Sequence, residues 1–332
     1  MTSLAEYTSL RIGGTPRSLI VATSQEQIIE AVAAADEQGR ELLIIGSGSN
    51  LVISDNFVGD VLVIANKGIE NDASACAGAW VSVQAGEILD DFVELATASG
   101  WTGLEGLSGI PGTVGATPIQ NVGAYGQQVS DTIAQVRAYN RETKTIDTLF
   151  AQTCEFEYRT SIFKQQSNRW VILSVVFQLP LGTLSSPIHY NELAAKLGVD
   201  MGQRAPLLAV REAVVALRHS KGMILLDEDH DTWSTGSFFT NPVVTEAPAG
   251  APTWSAKDGK TKVSAAWLIE QAGIGKGFGL NDRVTISTKH ALAITNRGGG
   301  TAAEVLELAK YIQGTVHQKF GITLDIEPQI VG

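Results

Sequence analysis

The pattern of apolar and polar residues near the start of the chain predicts a strand, a helix and a second strand. Leu19–Ala22 is a short apolar run, and Glu41–Ile45 reads as a buried strand. Between these runs, Thr23 and Glu26 have the spacing of a capping box that begins a helix, and Gly39 is placed to end it. Apolar residues recur at helical spacing at Ile28, Ile29 and Val32. This order of elements predicts a βαβ unit.

After this unit, the pattern changes to short β-like runs that one helix, Ile88–Ser99, interrupts. The runs are Val61–Ala65, Trp80–Ala85, Ala134–Tyr139, Thr145–Leu149 and Trp170–Leu179. The last third of the chain predicts helices at Ala205–Leu217, at Ala265–Gln271 and from a capping box at Thr301 and Glu304 to Gly321. It also predicts an exposed loop at Thr245–Val263 and strands at Ala291–Thr295 and Ile322–Val331. Together these patterns predict an α+β protein.

Composition and net charge argue against several classes of binding partner. The chain has 332 residues, of which 44% are hydrophobic and 18% are charged, so a sizeable core is available. A net charge of −11 argues against binding to nucleic acid or acidic membranes, and any anionic ligand needs local basic residues. The 2 cysteines and 5 scattered histidines indicate neither a disulfide framework nor a metal site. No signal layout and no membrane-spanning apolar run are visible, so we expect a cytoplasmic protein.

The stretch Gly109–Gly126, GIPGTVGATPIQNVGAYG, is the most informative part of the sequence. It has glycine at 109, 112, 115, 123 and 126 and no charged residue. Because glycine lacks a Cβ atom, such a stretch brings backbone N–H groups close to a ligand, and free amides in a turn bind anions. Gln120 and Asn121 add side-chain amides. A run of tight turns between strands is the alternative interpretation.

A second glycine motif, GSGSN at Gly46–Asn50, follows the second predicted strand. The strand-like Leu51–Ile53 follows it where a dinucleotide fingerprint requires a helix, and no Gly-Lys-Ser/Thr sequence is present. The motif is therefore neither a Rossmann turn nor an ATPase phosphate loop. Its amides and the hydroxyls of Ser47 and Ser49 suit a phosphate, and a plain strand–turn–strand remains an equally open interpretation.

Several polar residues are candidates for chemistry, and each has a structural alternative. Arg159 is a surface cation or a bidentate clamp for a carboxylate. Ser237 resembles a turn hydroxyl and lacks the GxSxG context of a hydrolase. Asp325 and Glu327 lie two residues apart in a predicted strand and so share one face. The cations Arg218 and Lys221 follow a predicted helix, where they favourably meet its dipole.

Seven sequence motifs follow one another along the chain, and their joint occurrence strengthens the functional interpretation of each motif. They are GSGSN, IPGTVGATPIQNVGAYG, YRTSIFK, GSFFTNP, WLIEQAG, HALAITN and LDIEP. In this order the chain resembles the UDP-N-acetylenolpyruvoylglucosamine reductase family (MurB), and the resemblance covers nearly its whole length. Tyr190, in IHYNEL, looks like the tyrosine-loop residue of the long form of that family.

The resemblance implies an FAD-binding fold of the vanillyl-alcohol-oxidase type with three domains. These are an N-terminal βαβ domain (1–65, joined by the C-terminal strand at about 321–332), a middle α+β domain (66–200) and a substrate domain (201–320) that covers the substrate. Non-covalent FAD is expected between the first two domains. The cofactor positions implied are Gly46, Ser47, Gly48, Ser49, Asn50, Leu51, Ile110, Pro111, Gly112, Thr113, Gly115, Ala116, Thr117, Gln120, Asn121, Gly123, Ala124, Tyr125 and Arg218.

The resemblance also implies a reaction. NADPH reduces FAD, and the reduced flavin passes a hydride from N5 to C3 of UDP-N-acetylglucosamine enolpyruvate, giving UDP-N-acetylmuramate for peptidoglycan. Ser237 matches the serine that delivers a proton to C2, while Arg159 and Glu327 match the groups that stabilise the enolate; Asp325 is the runner-up for the acid. The remaining substrate positions implied are Tyr158, Tyr190, Lys221, Asn241 and His290. A monomer is expected.

The sequence departs from the family pattern in the glycine-rich stretch. A cysteine and serines are common there in the family, but this chain has Thr113, Ala116 and Thr117. Ala116 has no hydroxyl for the flavin. Two other functions stay open at this point: a flavin oxidase of the same fold, commonly with covalent FAD, and a UDP-sugar binder that has lost catalysis.

Overall fold

The computed structural model describes residues 2–74 and 76–332. The helices are α1 (Gln25–Glu37), α2 (Leu89–Ala98), α3 (Ile162–Gln165), α4 (Asn191–Leu197), α5 (Leu207–Ser220), α6 (Ala265–Gln271) and α7 (Ala302–Phe320). The strands are β1 (Ser18–Ala22), β2 (Leu42–Ile45), β3 (Leu51–Ile53), β4 (Asp60–Ile64), β5 (Ile69–Ser74), β6 (Gly78–Gln84), β7 (Gly123–Ala124), β8 (Gln127–Gln128), β9 (Ile133–Asn140), β10 (Thr145–Phe150), β11 (Trp170–Leu179), β12 (Val243–Val244), β13 (Thr253–Ser255), β14 (Thr261–Val263), β15 (Val284–Ile286), β16 (Ile294–Asn296) and β17 (Gln329–Val331).

The chain divides into two compact units. The larger unit contains Arg17–Ser47 and Gly59–His219, and the smaller unit contains the chain up to Pro16, Gly48–Val58 and Ser220–Gly332. The chain thus passes from the larger to the smaller unit inside the GSGSN motif, between Ser47 and Gly48. The three-domain division from the sequence stays a prediction.

The larger unit contains two main sheets and the small antiparallel pair β7 and β8. Strands β1, β4 and β2 form a parallel sheet in that order, so β4 separates the two strands of the predicted βαβ unit. Strands β10, β9, β11, β6 and β5 form an antiparallel sheet, and α2 packs on it, with the rings of Phe92 and Phe177 5.0 Å apart. Arg141, next to β9, pairs with Asp36 on α1 and so joins the βαβ unit to the antiparallel sheet.

The smaller unit is built around α7. Its buried face carries the predicted residues Val305, Leu308, Ile312 and Val316, and they pack with Phe238, Phe239 and α6. Strand β17 pairs in parallel with β3, and Asp55, just after β3, accepts a hydrogen bond from the N–H of Ala302 at 2.9 Å. The start of α7 is therefore held by a residue that lies far away in the sequence.

Most predicted elements are confirmed, and the differences have local causes. Helix α1 begins one residue later than predicted, because Ser24, rather than Thr23, accepts the capping hydrogen bond, from Gln27 N–H at 3.3 Å. The capping box of α7 is present as predicted. The strand predicted at Ile322–Val331 is much shorter in the structure: β17 contains Gln329–Val331 and begins after Pro328, which has no N–H to donate, and before it Ile326 makes an isolated bridge with Phe239. The predicted loop at Thr245–Val263 instead contains β13 and β14, which form a small sheet with β12.

Candidate functional site

The glycine-rich stretch folds into tight turns that use many of its own amides. The N–H groups of Val114, Gly115, Ala116 and Thr117 donate to backbone carbonyls, those of Val114 and Gly115 to Glu87 and Ala85 at 2.8 Å each. These four residues form a short 3-10 helix and its cap. The expectation of a stretch with unblocked amides is therefore wrong for this part of it.

Free donors occur instead just before this 3-10 helix. Within the described parts of the chain, the amides of Gly112 and Thr113 make no hydrogen bond. Gly46 lies so close that a Cβ atom there would be 2.3 Å from the Thr113 hydroxyl oxygen. The adjacent Ser47 has a buried hydroxyl without a partner in the same described ranges. Two free amides and one unsatisfied hydroxyl near each other fit an anionic group such as the FAD pyrophosphate.

The second half of GSGSN lies in the smaller unit. Gly48 has φ +58°, and a Cβ atom there would lie 2.0 Å from the carbonyl oxygen of Tyr7, so only glycine fits. The carbonyl of Ser49 accepts a hydrogen bond from the hydroxyl of Ser9 at 3.3 Å. Asn50 precedes β3, which begins at Leu51. These contacts hold the loop against the N-terminal segment of the same unit.

Arg159 occupies a strained position in a tight hairpin of the larger unit. Glu157 and Thr160 exchange both backbone hydrogen bonds, at 3.1 and 3.4 Å, and Tyr158 and Arg159 are the two residues of the turn. Arg159 has φ +56°, and a positive φ at the second turn position is the pattern of a type II turn, which normally takes glycine. Residues held in such a conformation are often found at functional sites.

The hairpin is held against the glycine-rich stretch. The guanidinium of Arg159 donates to the Gly123 carbonyl at 3.0 Å, and its carbon lies 5.7 Å from the centre of the Tyr158 ring. Asn121 donates to the Glu157 carbonyl at 3.2 Å, and Ser161 donates to the Ile119 carbonyl at 2.7 Å. Arg159, Tyr158 and the predicted cofactor residues Asn121, Gly123 and Ala124 therefore share one part of the larger unit.

Arg218 and Tyr190 contact residues of the same glycine-rich stretch. Arg218 lies in the last turn of α5, because the helix extends past the predicted end at Leu217, and its Nε donates to the Gly109 carbonyl at 3.0 Å. Burial lowers the pKa of Arg218 to about 10, so it is still charged at neutral pH. Burial raises the pKa of Tyr125 to about 12, and its ring meets that of Tyr190 edge to face at 5.1 Å. A buried cation at this place suits an anionic ligand.

In the smaller unit, the segments that contain Ser237 and Glu327 are joined by backbone hydrogen bonds. The N–H of Glu327 donates to the Phe238 carbonyl at 2.9 Å, and that of Thr240 donates to the Asp325 carbonyl at 3.0 Å. Ser237 is half-buried, and its hydroxyl makes no hydrogen bond to any described residue. Of the two predicted acids, Glu327 is half-buried whereas Asp325 is exposed, which favours Glu327.

Three further predicted residues lie in the smaller unit. His290 accepts a hydrogen bond at Nδ1 from the N–H of Leu292 at 3.1 Å, which places the proton of the neutral ring on Nε2. Leu292 in turn accepts from Phe238 N–H at 2.8 Å, next to Ser237. The side-chain oxygen of Asn241 accepts from Ala265 at the start of α6 at 2.9 Å, so its NH2 group is left to donate elsewhere. Lys221 follows α5 and precedes Gly222, which packs against Asp231.

The departures from the family pattern differ in their surroundings. The Thr117 hydroxyl is buried and donates to the Val114 carbonyl at 2.8 Å, so it serves the 3-10 helix. Thr113 is buried against Gly46. Ala116 is half-exposed.

The described residues contain no group of three or more His, Cys, Asp or Glu side chains that could hold a metal ion. No helix within the described ranges is long and apolar enough to cross a bilayer.

Comparison with known proteins identifies the family. Residues 228–331 match the family described as UDP-N-acetylenolpyruvoylglucosamine reductase, C-terminal domain, and residues 16–148 match an FAD binding domain. The chain is 47% identical to the UDP-N-acetylenolpyruvoylglucosamine reductase of Cutibacterium acnes over 99% of this chain and 89% of that protein. It is 48% identical to the reductase of the same name from Streptomyces avermitilis, over 99% and 93%. The chain belongs to the UDP-N-acetylenolpyruvoylglucosamine reductase family.

A solved structure agrees with this assignment at the level of the fold. The reductase of this family from Thermus caldophilus superposes with a TM-score of 0.65 at 21% identity, covering 100% of this chain and 98% of that chain. The predicted α+β FAD-binding fold is therefore confirmed, and the chain is a flavoprotein oxidoreductase of the family.

Sequence reasoning did not name two polar residues near these predicted positions. Ser9 is buried and contacts both Ser49 and Ser234, and Thr235, two residues before Ser237, has a buried hydroxyl with no partner among the described residues. A lone serine or threonine in a polar segment gives no signal in the sequence, because its partners lie far away along the chain.

Proposed function

We propose that this protein reduces the enolpyruvyl double bond of UDP-N-acetylglucosamine enolpyruvate with NADPH, giving UDP-N-acetylmuramate for peptidoglycan synthesis. The family assignment supports the substrate class, since the relatives named above carry this reductase name along nearly the whole chain. The structural observation that carries the proposal is that Ser237 and Glu327 lie on adjoining segments. The Ser237 hydroxyl makes no hydrogen bond to any described residue, so it can bond a substrate.

When bound, FAD would supply the hydride chemistry that links NADPH to C3 of the enolpyruvyl group. The Ser237 hydroxyl gives a proton to C2 of the substrate. Before that proton arrives, hydride addition at C3 places negative charge on the substrate carboxylate as an enolate, and the guanidinium of Arg159 and the carboxyl of Glu327 stabilise this charge by hydrogen bonds. The hairpin fixes Arg159 in advance, because the turn and the bond to Gly123 restrict its side chain.

A weak acid such as a serine hydroxyl needs a partner that restores its proton. Among the predicted substrate residues, His290 is the best placed for this role, because the hydrogen bond at Nδ1 leaves Nε2 protonated and Leu292 links it to Phe238. The buried cation Arg218, the free amides of Gly112 and Thr113 and the hydroxyl of Ser47 hold the phosphates of FAD. Tyr190 and Lys221 hold the substrate diphosphate.

The test separates the two half-reactions by anaerobic mixing. Wild-type protein should be reduced by NADPH and then reoxidised by the enolpyruvyl sugar nucleotide, as followed by flavin absorbance. Ser237→Ala should be reduced normally, but reoxidation by substrate should slow by about 10²–10⁴-fold, as expected for loss of a proton donor. Ser255→Ala, on an exposed strand, should behave as wild type.

Normal reoxidation of Ser237→Ala would refute the proton-donor role. Flavin that stays attached after denaturation would point to a covalent flavin oxidase, and wild-type protein that the sugar nucleotide fails to reoxidise would refute the substrate. The monomeric state and the cytoplasmic location stay predictions; light scattering on the purified protein tests the first.

A further inference from the structure

Ser9 is a buried residue that contacts both the GSGSN motif and the segment that leads to Ser237. It is 3% exposed, and its hydroxyl oxygen lies 2.7 Å from the Ser234 carbonyl and 3.3 Å from the Ser49 carbonyl. Its N–H donates to the Gly48 carbonyl at 3.4 Å. These residues belong to the smaller unit. One side chain thus connects the predicted flavin loop with the segment that carries the predicted proton donor.

Ser234 sets the backbone path to Ser237. Its hydroxyl accepts a hydrogen bond from Gly236 N–H at 3.2 Å, and Gly236 has φ +77°. Ser234 also pairs with Thr295 of β16 through an isolated bridge. A displaced Ser234 carbonyl would therefore change the turn that orients Ser237.

The single proton of the Ser9 hydroxyl has two acceptors. The shorter distance, 2.7 Å, assigns it mainly to Ser234, and the contact at 3.3 Å to Ser49 is weaker. A shift of the Ser9 side chain toward one carbonyl would change its distance to the other. Thr235, in the same turn, has a buried hydroxyl without a partner among the described residues.

We propose that Ser9 is a positioning residue that couples flavin binding at GSGSN to the placement of Ser237 for proton transfer. This inference rests on the proposed function. Ser9 touches neither reacting atom; it acts through the carbonyls of Ser49 and Ser234. Its loss leaves two carbonyls without their donor and frees the turn before Ser237.

The experiment compares Ser9→Ala with Ser3→Ala. Ser3 is the matched control, because its hydroxyl also bonds a backbone carbonyl of the N-terminal segment, that of Gly13, at 3.1 Å. In Ser9→Ala the flavin dissociation constant, measured on reconstituted apoprotein, should rise about 10-fold, as for one lost hydrogen bond. Reoxidation by substrate should slow about 10- to 100-fold through misplacement of Ser237, while reduction by NADPH at saturating flavin stays unchanged. Ser3→Ala should match wild type in every measurement.

A double-mutant cycle identifies the route of the effect. If Ser9 acts through Ser237, adding Ser9→Ala to Ser237→Ala should slow reoxidation no further. Ser9→Thr retains the hydroxyl and should recover most of both effects, and Ser9→Cys, a weak donor of similar size, should fall between wild type and Ser9→Ala if the alanine variant does not fold. Additive rates in the cycle, or Ser9→Ala indistinguishable from Ser3→Ala, would overturn the role of Ser9. Wild-type protein that binds no flavin or is not reoxidised would instead overturn the proposed function.

Discussion

At the scale of single residues, the site is marked by backbone conformation as much as by side chains. Asn121, Tyr125 and Arg159 have φ of +46°, +50° and +56°. Left-handed conformation costs a non-glycine residue about 1–2 kcal/mol, so the fold must hold each one in place. The sequence predicts where glycines cluster, but it does not reveal which bulky residue between them takes a left-handed conformation, because the tertiary contacts that hold it are non-local.

Gly46→Ala should reduce both stability and flavin affinity. The new Cβ would lie 2.3 Å from the Thr113 hydroxyl oxygen, and such overpacking typically costs about 1–3 kcal/mol. Urea unfolding and flavin titration measure the two losses.

The control for this clash is the double variant Gly46→Ala/Thr113→Ala, which removes the hydroxyl in contact and should recover most of the lost stability. Gly314→Ala, in exposed helical space with no neighbouring atom within 4 Å, should stabilise the protein by up to about 1 kcal/mol. A Gly46→Ala variant as stable as wild type would contradict the described approach of the two residues.

Arg159→Lys should be poorly tolerated although the charge is kept. Lysine lacks the planar fork that binds a carboxylate through two hydrogen bonds, so reoxidation of the reduced flavin by substrate should slow on the order of 10²-fold. Stopped-flow absorbance gives the rate. Arg204→Lys, at an exposed position, is the matched control and should leave the rate unchanged. An equal rate for both variants would argue that Arg159 supplies charge alone.

At the scale of elements, one buried carboxylate joins the pieces of the βαβ unit. Asp60 at the start of β4 accepts hydrogen bonds from Arg17 at 2.8 and 2.7 Å and from Ser18 at 2.7 Å, and it also pairs with Arg40. The hydrogen bonds from Arg17, more than any other cause, hold the pKa of Asp60 well below its usual range. The charged form is therefore the one that stabilises the fold.

The stability that Asp60 contributes should depend on pH in a defined direction. Because its folded pKa is lowered, the contribution is complete above the unfolded value of about 3.9 and is lost as the pH falls toward the folded value. Asp60→Asn should cost about 2 kcal/mol at pH 7, and the difference from wild type should shrink below about pH 4. Urea unfolding at pH 7 and pH 3 measures it. Asp72→Asn, on exposed β5, should show little difference at either pH.

Elements that depend on local pattern could be predicted from the sequence, and those that depend on pairing could not. Strand β11 and helix α6 have the predicted bounds, because an apolar run and a capping serine define them locally. The sequence does not predict strand β5, because most of its residues are polar and exposed and the strand forms by pairing with β6. The candidate site follows the same rule: the motifs located its loops, whereas the contacts of Ser9 arise from segments far apart in the chain.

At the scale of the whole molecule, each unit is assembled from separate segments. The GSGSN motif is one of the places where the chain leaves one unit and enters the other. A ligand that orders this loop binds the native state and not the unfolded chain, so it stabilises the protein by mass action.

Added FAD should therefore raise the thermal midpoint of apoprotein. At a free concentration 100-fold above its dissociation constant, it should contribute about 2.7 kcal/mol, with the shift growing with flavin concentration. Scanning calorimetry of the flavin-free protein measures this, with Gly46→Ala as a variant that needs more flavin for the same shift. A midpoint independent of flavin would contradict binding to the native fold.

The pairing of β3 with β17 has a consequence for biosynthesis. Leu51–Ile53 is translated long before its partner Gln329–Val331, because the two strands lie far apart in the sequence. Chains fold from the N-terminal end during translation, so the strand that follows GSGSN stays without this partner until Gln329–Val331 has been made. The flavin loop of the nascent chain is therefore expected to be completed, and to accept its cofactor, only after this late segment has joined it.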